Sequence, residues 1–191
     1  MHICIIDMQW QKSNIENFKK VFHKIDQNIR LTIIKYNYRN IIEYIKLLHP
    51  DAIIISGSRY RILHKNPIHL SKDILYLNIP VLGICYGFEW QMKVMNGKIG
   101  TYETGFHKYQ RMIEIKEPYS ISKKLYYFAH NDFVSAVPKN WITTYTHNKQ
   151  IWMAYDPMTK HMGVQFHAEN HMSSGITFFS KWLKWIKNRN I

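Results

Sequence analysis

Short apolar runs alternate with amphipathic segments through the first half of the chain. Four runs have the length and apolar composition of strands: residues 2–6, 29–36, 51–55 and 80–84. The last two are almost entirely apolar, as in strands that are buried on both faces. Apolar residues recur at helical spacing between these runs, at 13–25, where Ser13 is placed to cap the helix, at 40–48 and at 68–77. This alternation predicts a doubly wound, mostly parallel α/β sheet with flanking helices, and it places functional groups after the carboxyl ends of strands.

The pattern changes after about Gly97. Five short runs then have β character and are expected to be antiparallel additions to the sheet: residues 111–115, 125–128, 141–146, 151–155 and 162–166. An amphipathic helix at 173–188 follows. The sequence contains no internal repeat, low-complexity segment or linker, so we expect a single domain over residues 1–191.

The composition is strongly basic. Lysine and arginine number 26 against 13 acidic residues, which gives a formal net charge of +13. A surface with this charge attracts polyanions. The basic residues are scattered, however, and no run of five or more marks a nucleic-acid-binding arm. We therefore do not expect nucleic acid to be the main partner.

Cysteine usage and the N-terminus indicate the compartment. The two cysteines, Cys4 and Cys85, have a spacing that matches no zinc or redox motif, which favours a reducing environment. The first apolar run stops at Asp7, too short for a signal peptide, and no apolar run approaches the roughly 20 residues of a membrane helix. We expect a cytoplasmic protein without membrane association.

The sharpest local signal surrounds Cys85. The buried strand predicted at 80–84 runs into Gly-Ile-Cys-Tyr-Gly, and a helical pattern follows. This arrangement is typical of a nucleophile elbow with a thiol in place of the hydroxyl. The start of the helix would favour the thiolate, and the N–H of Tyr86 would face a developing oxyanion. The alternative is that Cys85 is a buried structural cysteine.

A second segment supplies a base and a group to orient it. His167 and Glu169 follow another predicted strand and are two residues apart, so their side chains share one face if the backbone stays extended. Glu169 would then fix the tautomer of His167, which would take the proton from Cys85. Because the chain has 11 histidines, a chance His-x-Glu pair is the competing interpretation.

Taken together, these segments resemble the class I (triad) glutamine amidotransferases, and most closely the glutaminase domain of GMP synthase. The resemblance covers nearly the whole chain in order. The segments that carry it are Ile-Ile-Ile-Ser-Gly-Ser at 53–58, Val-Leu-Gly-Ile-Cys-Tyr-Gly at 81–87, Ala-His-Asn-Asp-Phe-Val at 129–134 and Gly-Val-Gln-Phe-His-Ala-Glu at 163–169. The family likeness implies a flavodoxin-like fold.

The resemblance also implies a reaction. A triad of Cys85, His167 and Glu169 would hydrolyse the side-chain amide of glutamine through a thioester, giving glutamate and ammonia. The N–H of Tyr86 and the loop at Gly57 would form the oxyanion hole. The chain ends where a glutaminase domain would end, so the ATP-using synthetase module is expected on a separate subunit.

The amino-acid end of the substrate is expected near Asn131 and Asp132. Two departures from the family pattern bear on it: Glu89 stands where a Gln usually helps to hold the substrate, and Asn131 where Gly is common. An ionised Glu89 would repel the substrate α-carboxylate but attract its ammonium group. We therefore keep two alternatives, a cysteine hydrolase of γ-glutamyl amides or peptides, and a non-catalytic binding or regulatory protein on the same fold.

No metal and no cofactor are expected. The histidines at 161, 167 and 171 have no carboxylate or cysteine to complete an obvious ligand set. Gly97-Lys98 lacks the other residues of a phosphate-binding loop.

Overall fold

The computed structural model describes residues 1–9, 15–65 and 68–188. Within these ranges the strands are β1 (His2–Asp7), β2 (Arg30–Lys35), β3 (Ala52–Ile55), β4 (Val81–Ile84), β5 (Lys98–Thr101), β6 (His107–Ile115), β7 (Ile121–His130), β8 (Asp132–Ala136), β9 (Ile142–His147), β10 (Gln150–Tyr155) and β11 (Met162–Val164). The α-helices are α1 (Ile15–Ile25), α2 (Ile41–Leu48), α3 (Tyr86–Val94) and α4 (Met172–Lys187), and 3-10 helices span Lys72–Tyr76 and Ala168–Asn170.

The main sheet has the order β2-β1-β3-β4-β11-β10-β8-β5, and β9 pairs with β10. Its first five strands are parallel, whereas the remaining pairings are antiparallel. In register, Ile55 lies beside Gly83, and Ile84 lies beside Val164. The carboxyl ends of β3, β4 and β11 therefore meet side by side, and the residues that follow these strands are close together.

Successive residues of the central strands point to opposite faces of the sheet, which explains why these strands are apolar throughout. On one face, Ile54 belongs to a core that includes aromatic residues of α1 and α4, among them Phe18, Phe22, Phe179 and Trp182. On the other face, Ile53 and Ile55 belong to a second core with residues of α2 and α3. Both cores hold the middle of the sheet rigidly beneath its carboxyl edge.

β6 and β7 form a separate antiparallel ribbon beside the main sheet. The ribbon packs on the first core through buried residues that include Ile113, Tyr126 and Phe128. A single antiparallel bridge joins Tyr127 of β7 to His167. The ribbon is thereby connected by a backbone hydrogen bond to the segment that follows β11.

The architecture confirms the predicted doubly wound, mostly parallel sheet with antiparallel additions. Three details differ from the sequence prediction. Residues 68–77 contain only the short 3-10 helix Lys72–Tyr76, and the run at 162–166 supplies a parallel strand, β11, beside β4. β5 and β8 were not predicted as strands. Ser13 lies outside the described residues, and within those residues no helix is long and apolar enough to cross a membrane.

Candidate active site

Cys85 occupies the turn between β4 and α3 in an unusual backbone conformation. Its φ of 52° and ψ of −108° lie outside the regions that side-chain-bearing residues prefer. The turn is tight because the first turn of α3 packs directly on β3, and a Cβ at position 87 would collide with the carbonyl oxygen of Ile55. Only glycine fits at position 87, and this close packing sets the direction in which the Cys85 side chain leaves the sheet.

The thiol of Cys85 is surrounded by polar groups although the residue is buried. Its Sγ donates to the carbonyl oxygen of Ala129 at 3.6 Å and accepts from Nε2 of Gln165 at 3.7 Å, and it is close enough to the His167 side chain to interact with it electrostatically. Burial raises the pKa of the thiol, whereas His167 and the backbone N–H of Tyr86 act in the opposite direction. The sulfur therefore lies next to a basic side chain with which it can exchange its proton.

His167 is held from three sides. Its backbone N–H donates to the carbonyl oxygen of Tyr127 at 2.7 Å, and its Nδ1 lies 2.7 Å from Oε1 of Glu169. On the third side the ring rests on the backbone at Gly57, so close that a Cβ there would lie 2.6 Å from Cε1. The other ring nitrogen, Nε2, is left for Cys85. Burial alone would lower the pKa of His167, but Glu169 and Cys85 hold it well above the ordinary value.

The structure thus brings Cys85, His167 and Glu169 together. The condition of an extended backbone is met at His167 but not at Glu169, which lies in the 3-10 helix Ala168–Asn170. This turn, rather than strand alternation, brings the carboxylate back onto the imidazole.

Of the predicted oxyanion donors, Gly57 lies against the ring of His167 and Tyr86 directly follows Cys85. Gly57 follows β3, and its carbonyl oxygen accepts hydrogen bonds from the Ser56 hydroxyl and from Nε2 of Gln9, both at 3.1 Å. The backbone N–H of Tyr86 is directed at the Cys85 side chain. These contacts fix the loop after β3 against the ring of His167 and leave the first N–H of α3 at the sulfur.

A small pocket of about 30 Å³, partly open to solvent, is lined in part by Cys85. The predicted substrate-binding residues Glu89, Asn131 and Asp132 all line it. Asn131 forms the turn between β7 and β8, where its carbonyl oxygen accepts from the N–H of Tyr102 at 3.0 Å. The pocket also carries Arg59 and Arg61, so groups of both charges face a bound molecule.

Two residues of the site were missed by sequence reasoning. Arg61, on the loop after β3, donates through Nη2 to Oδ1 of Asp132 at 2.8 Å and to the hydroxyl of Thr101 at 2.6 Å. Gln165 donates through Nε2 to Oε1 of Glu89 at 2.8 Å. The position of Gln165 two residues before His167 was the available signal for the second residue. No local pattern marks Arg61, because its partners are far away in the chain.

Comparison with known proteins gives consistent results. A model of the family described as glutamine amidotransferase class-I matches residues 5–183. The GMP synthase [glutamine-hydrolyzing] of Wigglesworthia glossinidia brevipalpis is 30% identical over 152 residues, covering 72% of this chain and 29% of that protein. The corresponding enzyme of Natranaerobius thermophilus is 33% identical over 153 residues, covering 75% of this chain and 29% of that protein. The chain thus spans less than a third of the length of these curated relatives.

Two solved structures have the same fold. A protein of Thermoplasma acidophilum that is assigned as one of the subunits of a GMP synthase superposes with a TM-score of 0.74 at 18% identity, covering 98% of this chain and 94% of that chain. A glutamine amidotransferase of Thermotoga maritima superposes with a TM-score of 0.68 at 17% identity, covering 98% and 86%.

Proposed function

The chain belongs to the class-I glutamine amidotransferase family, and on that basis we propose that it hydrolyses the side-chain amide of glutamine to glutamate and ammonia. The observation that supports this proposal most directly is the contact series from Cys85 to His167 to Glu169 at the end of a strand-turn-helix elbow. A thiol, a base and a carboxylate that orients the base are the three groups that acyl transfer through a thioester needs.

In the first half of the reaction, Sγ of Cys85 attacks the amide carbon while its proton passes to Nε2 of His167. The N–H groups of Tyr86 and Gly57 stabilise the oxyanion that forms. His167 then gives its proton to the leaving nitrogen, the C–N bond breaks, and ammonia departs from the thioester. Since Glu169 favours the protonated imidazole, it stabilises the state in which His167 carries this proton.

In the second half, water attacks the thioester carbon and gives a proton to His167. The C–S bond breaks, the proton returns to the sulfur, and glutamate leaves. Besides the substrate, the two halves consume one water molecule, and the sulfur and imidazole end as they began.

The test is ammonia release from glutamine by the purified chain. We expect release by the wild type and none by Cys85→Ala, and a glutamine-mimicking electrophile should label Cys85 in competition with glutamine. The matched control is Cys4→Ala, because burial raises the pKa of Cys4 to about 12 and leaves that thiol unreactive. Absence of release from the wild type, with candidate synthetase subunits and their ligands present, contradicts the proposal.

We further propose that the ammonia serves a separate ATP-using synthetase subunit of the GMP synthase type. Two observations support this: the curated relatives are more than three times as long as the matched region, and the Thermoplasma acidophilum protein is assigned as one subunit of such an enzyme. Adding a purified synthetase subunit should give glutamine-dependent GMP formation that Cys85→Ala abolishes. Glutamine hydrolysis without transfer to any such subunit contradicts the assignment.

Hydrolysis of γ-glutamyl amides or peptides is the second candidate. The observation that favours it is the carboxyl of Glu89 in the pocket wall, together with an opening to solvent through which a longer leaving group could extend. A substrate panel separates the two functions. A higher kcat/KM for γ-glutamyl conjugates than for free glutamine supports this candidate, and the reverse order rejects it.

A further inference from the structure

Building on the glutaminase function proposed above, we propose that Glu89 is a specificity-determining residue that binds substrate as a neutral, protonated carboxylic acid. One of its oxygens accepts a hydrogen bond from Gln165. The other carries a proton and donates it to an acceptor oxygen at the amino-acid end of the substrate.

The position of Glu89 places its carboxyl beside the reacting sulfur. Glu89 lies one helical turn after Cys85, and its N–H donates to the carbonyl oxygen of Cys85 at 3.0 Å. Residues four apart lie on the same helix face. The amide Nε2 of Gln165 bridges the two side chains, 2.8 Å from Oε1 of Glu89 and 3.7 Å from the sulfur. A substrate whose amide carbon reaches the sulfur therefore passes the carboxyl of Glu89.

The surroundings of this carboxyl favour its protonated form. Glu89 is 3% exposed, and it takes its hydrogen bond from a neutral amide. The two other acids of the site have cationic or titratable partners instead, because Asp132 is paired with Arg61 and Glu169 with His167. A carboxylate buried without a paired cation loses its hydration without compensation, so the group takes up a proton.

The groups around Glu89 act on its pKa in both directions. Burial raises the pKa most, and Asp132 of β8 adds to it, while Gln165, His167 and Arg61 oppose it. The result is a pKa of Glu89 raised to about 8. At neutral pH the carboxyl of Glu89 is therefore a hydrogen-bond donor in the pocket wall. Above about pH 8 it is instead a negative charge near Asp132.

A protonated carboxyl presents an O–H donor and an acceptor oxygen, much as the amide of glutamine presents N–H donors and an acceptor oxygen, whereas a carboxylate only accepts. The neutral form can therefore donate to a carboxylate oxygen of the substrate without repelling it. Ionisation removes the donor and introduces repulsion together. Affinity for glutamine must then fall as pH rises through the pKa of Glu89, and Glu89→Gln must prevent this fall.

The experiment measures glutamine binding by calorimetry between pH 6.5 and pH 9.5 in the Cys85→Ala background, which removes thiol titration and turnover. The comparison is between Cys85→Ala and Cys85→Ala with Glu89→Gln. Titration of the ligand's own ammonium group affects both proteins equally, so their ratio isolates Glu89. Above pH 8 we expect affinity to fall about tenfold per pH unit relative to the Gln variant. Glu43→Gln, an exposed glutamate of α2, should behave as its parent.

Two binding results would overturn the proposal. One is the same pH dependence with and without Glu89→Gln. The other is loss of glutamine binding by the folded Gln variant at pH 6.5. As a measurement independent of glutamine, an infrared difference spectrum of the two proteins at neutral pH should contain the carbonyl stretch of a protonated carboxyl, and its absence also overturns the proposal.

The outcome is separable from that of the glutaminase function. If Cys85→Ala binds glutamine with the expected pH dependence but the wild type releases no ammonia, the hydrolysis proposal fails and the role of Glu89 in binding stands. If the wild type releases ammonia with a KM that does not change between pH 7 and pH 9 relative to Glu89→Gln, the role of Glu89 fails and hydrolysis stands.

Discussion

Replacement of Gly57 by alanine tests how closely the loop after β3 fits the catalytic base. The φ of Gly57 is not in the left-handed region, so alanine is compatible with the backbone there. Its Cβ, however, would lie 2.6 Å from Cε1 of His167, whereas ordinary contacts are 3.4–4 Å. The loop and the ring must therefore separate by about 1 Å.

The imidazole has little room for such a shift. Its Nδ1 is hydrogen bonded to Glu169 at 2.7 Å, and its backbone is fixed to Tyr127. A displacement of about 1 Å lengthens the first of these contacts beyond hydrogen-bonding range or moves Nε2 away from the thiol. Misplacement of a catalytic group on this scale lowers the rate about 100-fold, which corresponds to about 2.7 kcal/mol of barrier.

The assay is steady-state ammonia release, with urea denaturation to measure the free energy of unfolding. We expect Gly57→Ala to lower kcat about 100-fold and to remain folded. The matched control is Gly105→Ala, where the added methyl group meets no atom within 4 Å but the φ of 86° is strained for alanine. That variant should lose stability and keep its kcat. A folded Gly57→Ala within threefold of the wild-type kcat refutes the reasoning.

Three further predictions concern Glu169, Glu89 and the packing of Gly163 in β11. Glu169→Gln removes the carboxylate that raises the pKa of His167. We expect kcat to fall about 100-fold or more, and the acid limb of the pH-rate profile to move to lower pH. An unchanged profile contradicts the role assigned to Glu169. Because the pKa of Glu89 rises from 4.5 to about 8, the folded state holds a proton that the unfolded state releases between these values. Wild-type stability should therefore fall by about 1.4 kcal/mol per pH unit across that window relative to Glu89→Gln, as urea denaturation at several pH values will measure. Gly163→Ala places a methyl group against the ring of Phe88. We expect it to lower the free energy of unfolding, measured by urea denaturation, by about 1–3 kcal/mol or more. A variant with wild-type stability contradicts this prediction.

The first four parallel strands could be predicted from sequence because their signal is strong. β3 and β4 are buried on both faces, so every residue in them is apolar, and a continuous apolar run is easily recognised. β5 was missed because its four residues include a lysine, a glycine and a threonine, and it is partly exposed. Its pairing with β8 is what makes it a strand, and pairing over such a distance leaves no local trace.

In the site, too, the residues in local sequence patterns could be predicted, whereas the long-range contacts could not. The glycines around Cys85 and the His-x-Glu pair are local patterns, and the structure brings them together because their strands are neighbours in the sheet. The contact between Arg61 and Asp132 could not be found in this way, since it depends on a loop folding over the end of β8. The charge state of Glu89 was also inaccessible, because burial, not residue type, determines it.

The backbone at Cys85 places stability and chemistry in opposition. A side chain held at a φ of 52° costs about 1–3 kcal/mol, which is a sizeable part of the roughly 5–15 kcal/mol that keeps a domain folded. Glycine would relieve this strain but would remove the sulfur. The strain at Cys85 therefore constrains how the sequence can change. A protein that no longer needed the thiol could regain stability by a glycine at this position. A working enzyme must be stable enough elsewhere to tolerate the strain.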